Sequence, residues 1–540
     1  MTLVVTILDT TGIQPYIFGS NRLRENVGAS YLVSQATDKW VKQVFKDLKK
    51  NQNWKIQIPD QPEDKPYIED GELTAELVYA GGGNTVLLFK TFDDAKEFTR
   101  KLSRKILEEA PGINLVAAHK EFNWGSKSLY KVIQDVMKND IDRSKQQRIA
   151  SDPLLGLGVT AACRSTQLVA MGMSEKFEED GAYLISREIQ NKLEVVPFAN
   201  HELEKTFRSN YKFPLRTDQM GRASGDSSYV AVVHADGNRM GDRFQEIGKD
   251  KDNRAYITAV RKLSHDINQA GIKALREVIR ILEKGIEKGK FDITDNYLPL
   301  RPIVYGGDDV TFVCDGRLGI ELAALYLKEF EKQVVSYGDK LTACAGVCIV
   351  KSHYPFARAY KLSEDLCGSA KKYAKNKAKD KNNFTGQELD FSAIDWHLAA
   401  SGLIGSVSDI REREYQISKD KLLYMRPVLL TQNDDEWRTW QGIAKVIQEL
   451  NDGERWKDKR NKVIALREIL RKGSRATEEY LKAYGLGKLP CFSSRSTIQL
   501  TNLAKSGWID DSGKRICGYF DAIEAMEFYV SLTEDTNEQI

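Results

Sequence analysis

The feature that most constrains this chain is an internal repeat. Residues 3–8 (LVVTIL) read as an apolar strand ending at Asp9, and residues 229–235 (YVAVVHA) as a second strand ending at Asp236. A glycine-rich hairpin follows each strand: LVYAGGGNTVLLF at 77–89 and RPIVYGGDDVTFV at 301–313. The register holds across the copies, since Gly83 lies 74 positions after Asp9 and Asp308 lies 72 after Asp236. Apolar residues at i, i+3/i+4 spacing predict helices over 93–110 and 318–334. Each leads into another strand (113–122 and 341–350) and then a further helix, SLYKVIQDVMKN and FARAYKLSEDLCGSAKKYAK. This order, βαββαβ twice over, is the split-βαβ, ferredoxin-like arrangement.

The rest of the 540 residues is apportioned around that repeat. At roughly 150 residues per domain, the length accommodates three or four units. The expected division is a first repeat domain over 1–150, a connector over 151–224, a second over 225–400, and a mainly helical C-terminal domain over 401–540. In the last, DEWRTWQGIAKVIQEL and NKVIALREILRKG carry helical periodicity. Within the connector, GLGVTAACRSTQL is expected to be ordered and RTDQMGRASGDSS to form a mobile loop; SLTEDTNEQI is expected to fray. The fold class is therefore α/β (α+β).

Composition narrows the setting. Apolar residues at 41% and charged residues at 29% exclude wholesale disorder. A net charge of +3 is too small for a nucleic-acid coat or a polybasic membrane binder. No apolar run approaches the ~18 residues of a membrane span, and the opening MTLVVTILDTTGI reads as a strand without the basic region of a signal peptide. Seven cysteines without a C-x-x-C pair argue against disulfides and a zinc site. The expectation is a reduced, cytoplasmic protein with no membrane partner.

The sharpest constellation is Asp236 with Asp308 and Asp309. In a ferredoxin-like sheet the first strand lies beside the central hairpin, so Asp236 at its end approaches the hairpin turn. Gly306 and Gly307 permit a tight turn with positive φ and close approach of a substrate to backbone. Clustered carboxylates repel unless a cation neutralises them, and hard oxygen ligands favour Mg²⁺ or Mn²⁺. Two such ions roughly 4 Å apart activate an attacking hydroxyl and stabilise a leaving phosphate. Asp236-Gly237-Asn238 continues into Arg239-Met240-Gly241, a loop whose N–H groups can cradle phosphates. Lys371 and Lys375 lie four apart on one helix face, where a lysine can neutralise triphosphate charge; Lys375 reads better as solvated. The lysine-rich run 371–381 is a candidate nucleotide- or RNA-facing patch, although such runs are commonly solubilising faces.

These residues resemble a family: the large polymerase/cyclase-like subunit of type III CRISPR effector complexes and its stand-alone relatives. VVHADGNRMG is similar to that family's first metal-binding strand and loop, YGGDDVTFV to its signature hairpin, and GVCIVKSHYPFARAYKLSEDLCGSAKK to its last strand and helix. DTTGIQPYIFGSNRLRENVGASYLV with YAGGGNTVLLF resembles its non-catalytic first palm. The resemblance implies two palm domains of polymerase/nucleotide-cyclase type, condensing ATP into cyclic oligoadenylates that activate a downstream effector in antiviral defence. It implies that Asp236, Asp308 and Asp309 hold two Mg²⁺ or Mn²⁺ ions, which prepare a ribose 3′-OH for attack on an α-phosphate. Gly306 and Gly307 would admit the nucleotide, with Gly237, Asn238 and Lys371 about it. The first palm keeps Asp9 but has Gly83-Asn84 where the acidic pair would stand; Gly82 and Gly83 would still accept a nucleotide facing the second palm. Guide RNA and small helical CRISPR subunits are the implied macromolecular partners.

Two departures are visible. No His-Asp nuclease domain precedes the first palm in this sequence, and the only such dipeptide, His265-Asp266, sits in a helical pattern. The cysteine-rich zinc element is missing between the palms, where Cys163 stands alone. Two other functions fit parts of the chain. A diguanylate-cyclase-like enzyme shares the palm, but Val310 replaces the aromatic end of its hairpin signature. A scaffold subunit would use the C-terminal domain, with Trp437, Trp440 and Trp456 as contact aromatics or, more commonly, as core.

Overall fold

The computed structural model describes residues 1–52, 54–59, 61–147, 156–178, 180–220, 228–293, 295–336, 340–385, 390–399, 405–430, 436–492, 498–511 and 513–533. Most of the expected mobile loop and frayed end (221–227 and 534–540) lies outside the described residues. The first repeat forms β1 (Thr2–Thr11), β2 (Ile56–Gln57), β3 (Ala75–Gly81), β4 (Asn84–Phe89) and β5 (Asn114–Asn123) in the order β2-β3-β4-β1-β5. A two-stranded ribbon, β6 (Gly172–Met173) with β7 (Leu184–Ile185), lies in the connector. The second repeat supplies β8 (Tyr229–Gly237), β9 (Leu300–Val304), β10 (Asp309–Asp315) and β11 (Ala343–Lys351). Two further strands, β12 (Ala393–Ala399) and, beyond two short strands, β15 (Val428–Leu429), extend it to β15-β12-β11-β8-β10-β9. In both copies the first strand is flanked by the third and fourth of the βαββαβ unit, each antiparallel to it.

The two sheets share apolar packing. Val4 and Leu8 of β1 belong to one buried cluster with Val230 and Val232 of β8 and Val313 of β10. The helix Leu23–Ser34 contributes Val27 and Leu32 to that cluster, and its Ser30 hydroxyl donates to the Ile303 carbonyl at 2.5 Å. Phe18 of the first repeat stacks on Tyr360 of the second, with ring centroids 3.9 Å apart and planes 12° from parallel.

A 35-residue helix, Asn253–Glu287, joins the repeats a second time. The Asp252 side chain caps its start by accepting from the Ala255 N–H. The sequence carries no proline in this span, and its apolar positions keep helical spacing, so one helix runs through. Near its start, Tyr256, Ile257 and Val260 pack on Leu3, Val5 and Ile7 of β1. Further along, Leu263, Ala274 and Val278 join Val233, Ala235 and Phe312 of the second sheet. Glu76 of β3, fully buried, accepts from Arg254 at 2.7 and 2.9 Å and from Arg261 at 2.7 Å. Burial alone would push this carboxyl up; the two guanidiniums outweigh it and hold it below the usual range.

The C-terminal part is helical, as expected, over Trp440–Asp452, Arg460–Lys472, Ser474–Ala483 and Ile498–Ser506. It also contains a four-stranded sheet that the periodicity does not announce: β13 (Gln416–Ser418), β14 (Lys421–Leu422), β16 (Trp508–Asp511) and β17 (Lys514–Cys517), ordered β13-β14-β17-β16. Strands this short hold too few residues for an alternation to register. Trp440 and Trp456 are buried in the core and Trp437 packs against it, the commoner of the two readings given above. All seven cysteines are free. No helix among the described residues is long and apolar enough to cross a membrane.

Candidate active site

The register of β8 and β10 sets the site. Asp309 pairs with Asp236 across the ladder, and the Gly237 N–H donates to the Asp308 carbonyl at 3.1 Å. The hairpin turn that presents Asp308 has φ of 94° at Gly306 and 93° at Gly307, a region costly for any residue with a Cβ. The long helix supports this turn. A Cβ on Gly306 would lie 2.7 Å from Asn268 Oδ1, and one on Gly271 would lie 2.5 Å from the Gly307 carbonyl oxygen. Asn268 and Gly271 were not singled out in the sequence; their signal is position, since the long helix must cross the hairpin somewhere.

Charge is concentrated where these strands end. Lys371 Nζ lies 2.6 Å from Asp236 Oδ2 and donates to the Gly237 carbonyl at 2.9 Å. Burial alone would lower this ammonium's pKa; Asp236 outweighs it and holds it above the usual lysine value. The Asp308 carboxyl is pushed up by burial and then by Asp236. Asp309 is pushed up to about 8 by burial, then by Asp236 and Asp308. Its Oδ1 is sealed and has no hydrogen-bond partner, yet the side chain as a whole keeps 46% of its surface. The crowding therefore falls on one oxygen while water reaches the other.

A ring lies behind that sealed oxygen. His234 Nδ1 is 3.1 Å from Thr311 Oγ1 and 3.3 Å from Asp309 Oδ1, the latter approach too oblique for a hydrogen bond. Burial holds this imidazole below its usual pKa, against the pull of Asp236 and Glu364. Tyr360 meets its edge at 5.5 Å and connects it to Phe18 of the first repeat.

In front of the carboxylates is an open cleft of about 340 Å³, lined by Asp236, Gly237, Asp308, Lys371 and the residues from Arg239 to Asp242. Here the geometry changes one expectation. The Asn238 N–H is spent on the Thr342 carbonyl, and its amide donates to Thr342 Oγ1 and the Phe391 carbonyl, each at 3.0 Å. Gly237 likewise spends its N–H on Asp308. Neither N–H is therefore left for a phosphate. The start of the helix Met240–Gly248 also lines the cleft, and the first N–H groups of a helix have no partner within it.

The first repeat shows the same geometry closed. Asp9 pairs with Asn84 in the ladder, and the Asn84 amide, in its satisfied orientation, donates to both Asp9 oxygens at 3.2 and 3.3 Å. Lys145 Nζ completes the set 2.5 Å from Asp9 Oδ2. Gly83 is buried and its carbonyl accepts from the Thr10 N–H and hydroxyl, whereas Gly82 sits exposed at the tip. His265 is an exposed residue of the long helix, and Asp266 accepts from the Ser336 N–H at 2.9 Å. Lys375 is exposed.

Oxygen donors only, one of them orphaned, with two carboxyls pushed up by burial and then by their neighbours: this donor set fits a hard divalent cation. Among the described residues no three acidic, histidine or cysteine side chains converge closely enough to hold one as they stand. The Lys371 ammonium neutralises Asp236 instead.

Residues 229–384 match the family model described as Cas10/Cmr2, second palm domain. The fold is similar to a chain in the crystal structure of a Csm1-Csm4 cassette in complex with pppApA, at 13% identity and a TM-score of 0.51, over 98% of this chain and 69% of the other. The cassette in complex with cA3 gives the same identity and TM-score over 98% and 70%. The cassette in complex with cA4 aligns at 14% identity and a TM-score of 0.40, over 69% of this chain and 53% of its match. No curated protein matches the sequence. The two-palm fold with a helical C-terminal part is thus shared along nearly the whole chain, and residues 229–384, its second palm, match the Cas10/Cmr2 second-palm model.

Proposed function

We propose that this chain is a metal-dependent nucleotidyltransferase of antiviral defence that condenses ATP into cyclic oligoadenylates. The observation that carries the proposal is the contrast between the two ladders. Asp9 faces an amide and is closed over by Lys145, whereas Asp236 faces Asp309 beside an open cleft. Asp236, Asp308 and Asp309 would hold Mg²⁺ or Mn²⁺, which when bound supplies positive charge for the attacking hydroxyl and the leaving pyrophosphate. The glycine turn lets a ribose and its phosphates approach backbone, and the start of the helix Met240–Gly248 offers N–H donors to phosphate oxygens. The reaction joins the 3′-oxygen of one nucleotide to the α-phosphorus of the next; the α–β phosphoanhydride breaks and the hydroxyl proton is lost to solvent. Similarity to cassettes crystallised with pppApA and cA3 supports adenine nucleotides as substrate and product, and a Csm4-like partner.

A second function, a scaffold in an RNA-guided complex, is favoured by the Lys371–Asp236 pair, which leaves the site neutralised without a metal. One experiment separates the two: labelled ATP with Mg²⁺ or Mn²⁺, with and without RNA, and products read by mass spectrometry. The expected result is oligoadenylate that disappears in the double variant Asp308→Ala, Asp309→Ala. No product under any condition, or product unchanged in that variant, refutes the synthetase. Product from GTP alone would favour the diguanylate-cyclase-like alternative.

A further inference from the structure

The two repeats place a lysine on the equivalent carboxylate, and they do so differently. Lys145 reaches Asp9 from the segment after β5, and Asn84 covers what remains of that carboxylate, which is only 9% exposed. Lys371 reaches Asp236 from the helix after β11, but Asp236 stays 37% exposed and opens onto the cleft. Lys371 Nζ touches two hard oxygens together, Asp236 Oδ2 at 2.6 Å and the Gly237 carbonyl at 2.9 Å. A carboxylate and a backbone carbonyl are the donors that a divalent cation also selects. The lysine and a metal ion therefore compete for the same oxygens.

We infer that Lys371 is an internal counter-cation that occupies the metal position beside Asp236 and gives it up when a nucleoside triphosphate arrives. This inference rests on the metal site proposed above and adds its regulation. A compact ammonium on a four-carbon stem can swing from Asp236 to a phosphate oxygen without moving backbone. Its charge is then transferred from the protein to the incoming triphosphate, and Asp236 is free for the cation that accompanies it. Nucleotide and metal thus bind with positive coupling, and the nucleotide-free protein binds divalent cations poorly. In the first repeat the same lysine contact cannot open, because Asn84 holds the other side of Asp9.

The test reads metal binding and needs no turnover. Mn²⁺ binding to the full chain is measured by calorimetry and by the free-Mn²⁺ electron paramagnetic resonance signal, with and without a non-hydrolysable ATP analogue. In the wild type, Mn²⁺ affinity should rise at least tenfold with the analogue. In Lys371→Met, Mn²⁺ should bind at least tenfold tighter than in the wild type without analogue, and the analogue should add less than threefold. Lys371→Arg, which keeps a cation at this position, should bind Mn²⁺ without analogue no more tightly than the wild type; matching melting curves establish that all three chains are folded. Mn²⁺ binding that is unchanged or weaker in Lys371→Met overturns the inference and leaves the nucleotidyltransferase standing. Absence of Mn²⁺ binding in every chain, with analogue present, overturns both.

Discussion

Replacing Gly271 by alanine adds one methyl group to the buried face of the long helix, 2.5 Å from the Gly307 carbonyl oxygen and 3.7 Å from Tyr326 Oη. The nearer contact is backbone, so it cannot be relieved by a side-chain rotation. Restoring ordinary contact of about 3.5 Å requires the hairpin turn to retreat by about 1 Å. Alanine improves helix propensity by about 1 kcal/mol, while overpacking a filled site costs about 1–3 kcal/mol. The net loss is about 0–2 kcal/mol, which at this size lowers Tm by no more than a few degrees. Catalysis is more sensitive, because misplacing reacting groups by about 1 Å costs on the order of 10²-fold. The expected outcome is a nearly unchanged melting curve with Mn²⁺-dependent ATP conversion reduced about 100-fold. Gly285→Ala is the control: its new methyl would meet only the end of the Leu532 side chain, 2.8 Å away, far along the helix from the turn. Conversion within threefold of wild type in Gly271→Ala, at equal stability, would refute the claim that this helix holds the glycine turn in the geometry the proposed reaction needs.

Two further outcomes follow from buried charge. Glu76→Ala leaves the buried Arg261 without a carboxylate, while Arg254 keeps only Glu69, and should destabilise the protein by about 3–5 kcal/mol, read as a fall in denaturation midpoint. Glu321, buried on the helix Gly319–Glu331, accepts from the Leu532 N–H at 3.3 Å, and burial pushes its carboxyl up to about 7. A raised carboxyl means that the folded state holds the proton more tightly than the unfolded one. Stability should therefore be full below about pH 4.5 and decline as pH rises toward 7, with exchange of the Leu532 amide quickening over that window. Glu321→Gln should remove that slope in Tm against pH; a slope that persists would mean another group causes it.

Much of the site was legible because its information is local. Asp9 and Asp236 each end an apolar run, and each hairpin has its own glycines, so the repeat could be read without contacts. The register that sets Asn84 against Asp9 and Asp309 against Asp236 was foreshadowed by near-equal spacings, 75 and 73 positions. What escaped is non-local. Lys145 reaches Asp9 across more than a hundred residues, and no periodicity predicts an ion pair. Asn238 looks like a phosphate ligand from its neighbours, but Thr342, just before β11, and Phe391 claim its hydrogen bonds. The run AIDWHLA at 393–399 became β12, because the edge of β11 offered a parallel partner that only the folded sheet creates. The role of Gly271 depends on where a 35-residue helix crosses the hairpin, a property of packing rather than of the helix's own sequence.

The long helix also acts as a lever. It is pinned at its start, where Asn253 accepts from the Leu129 N–H and donates to the Trp124 carbonyl, and where Glu76 clamps Arg254 and Arg261. From Arg254 to Gly271 is about 25 Å of helix, with no proline to bend it. A rocking of the first palm by about 5° about the second would carry Gly271 through about 2 Å, twice the retreat that Gly271→Ala would demand of the glycine turn. A load applied to the far side of the first palm would reach, through this helix, the two glycines that precede Asp308.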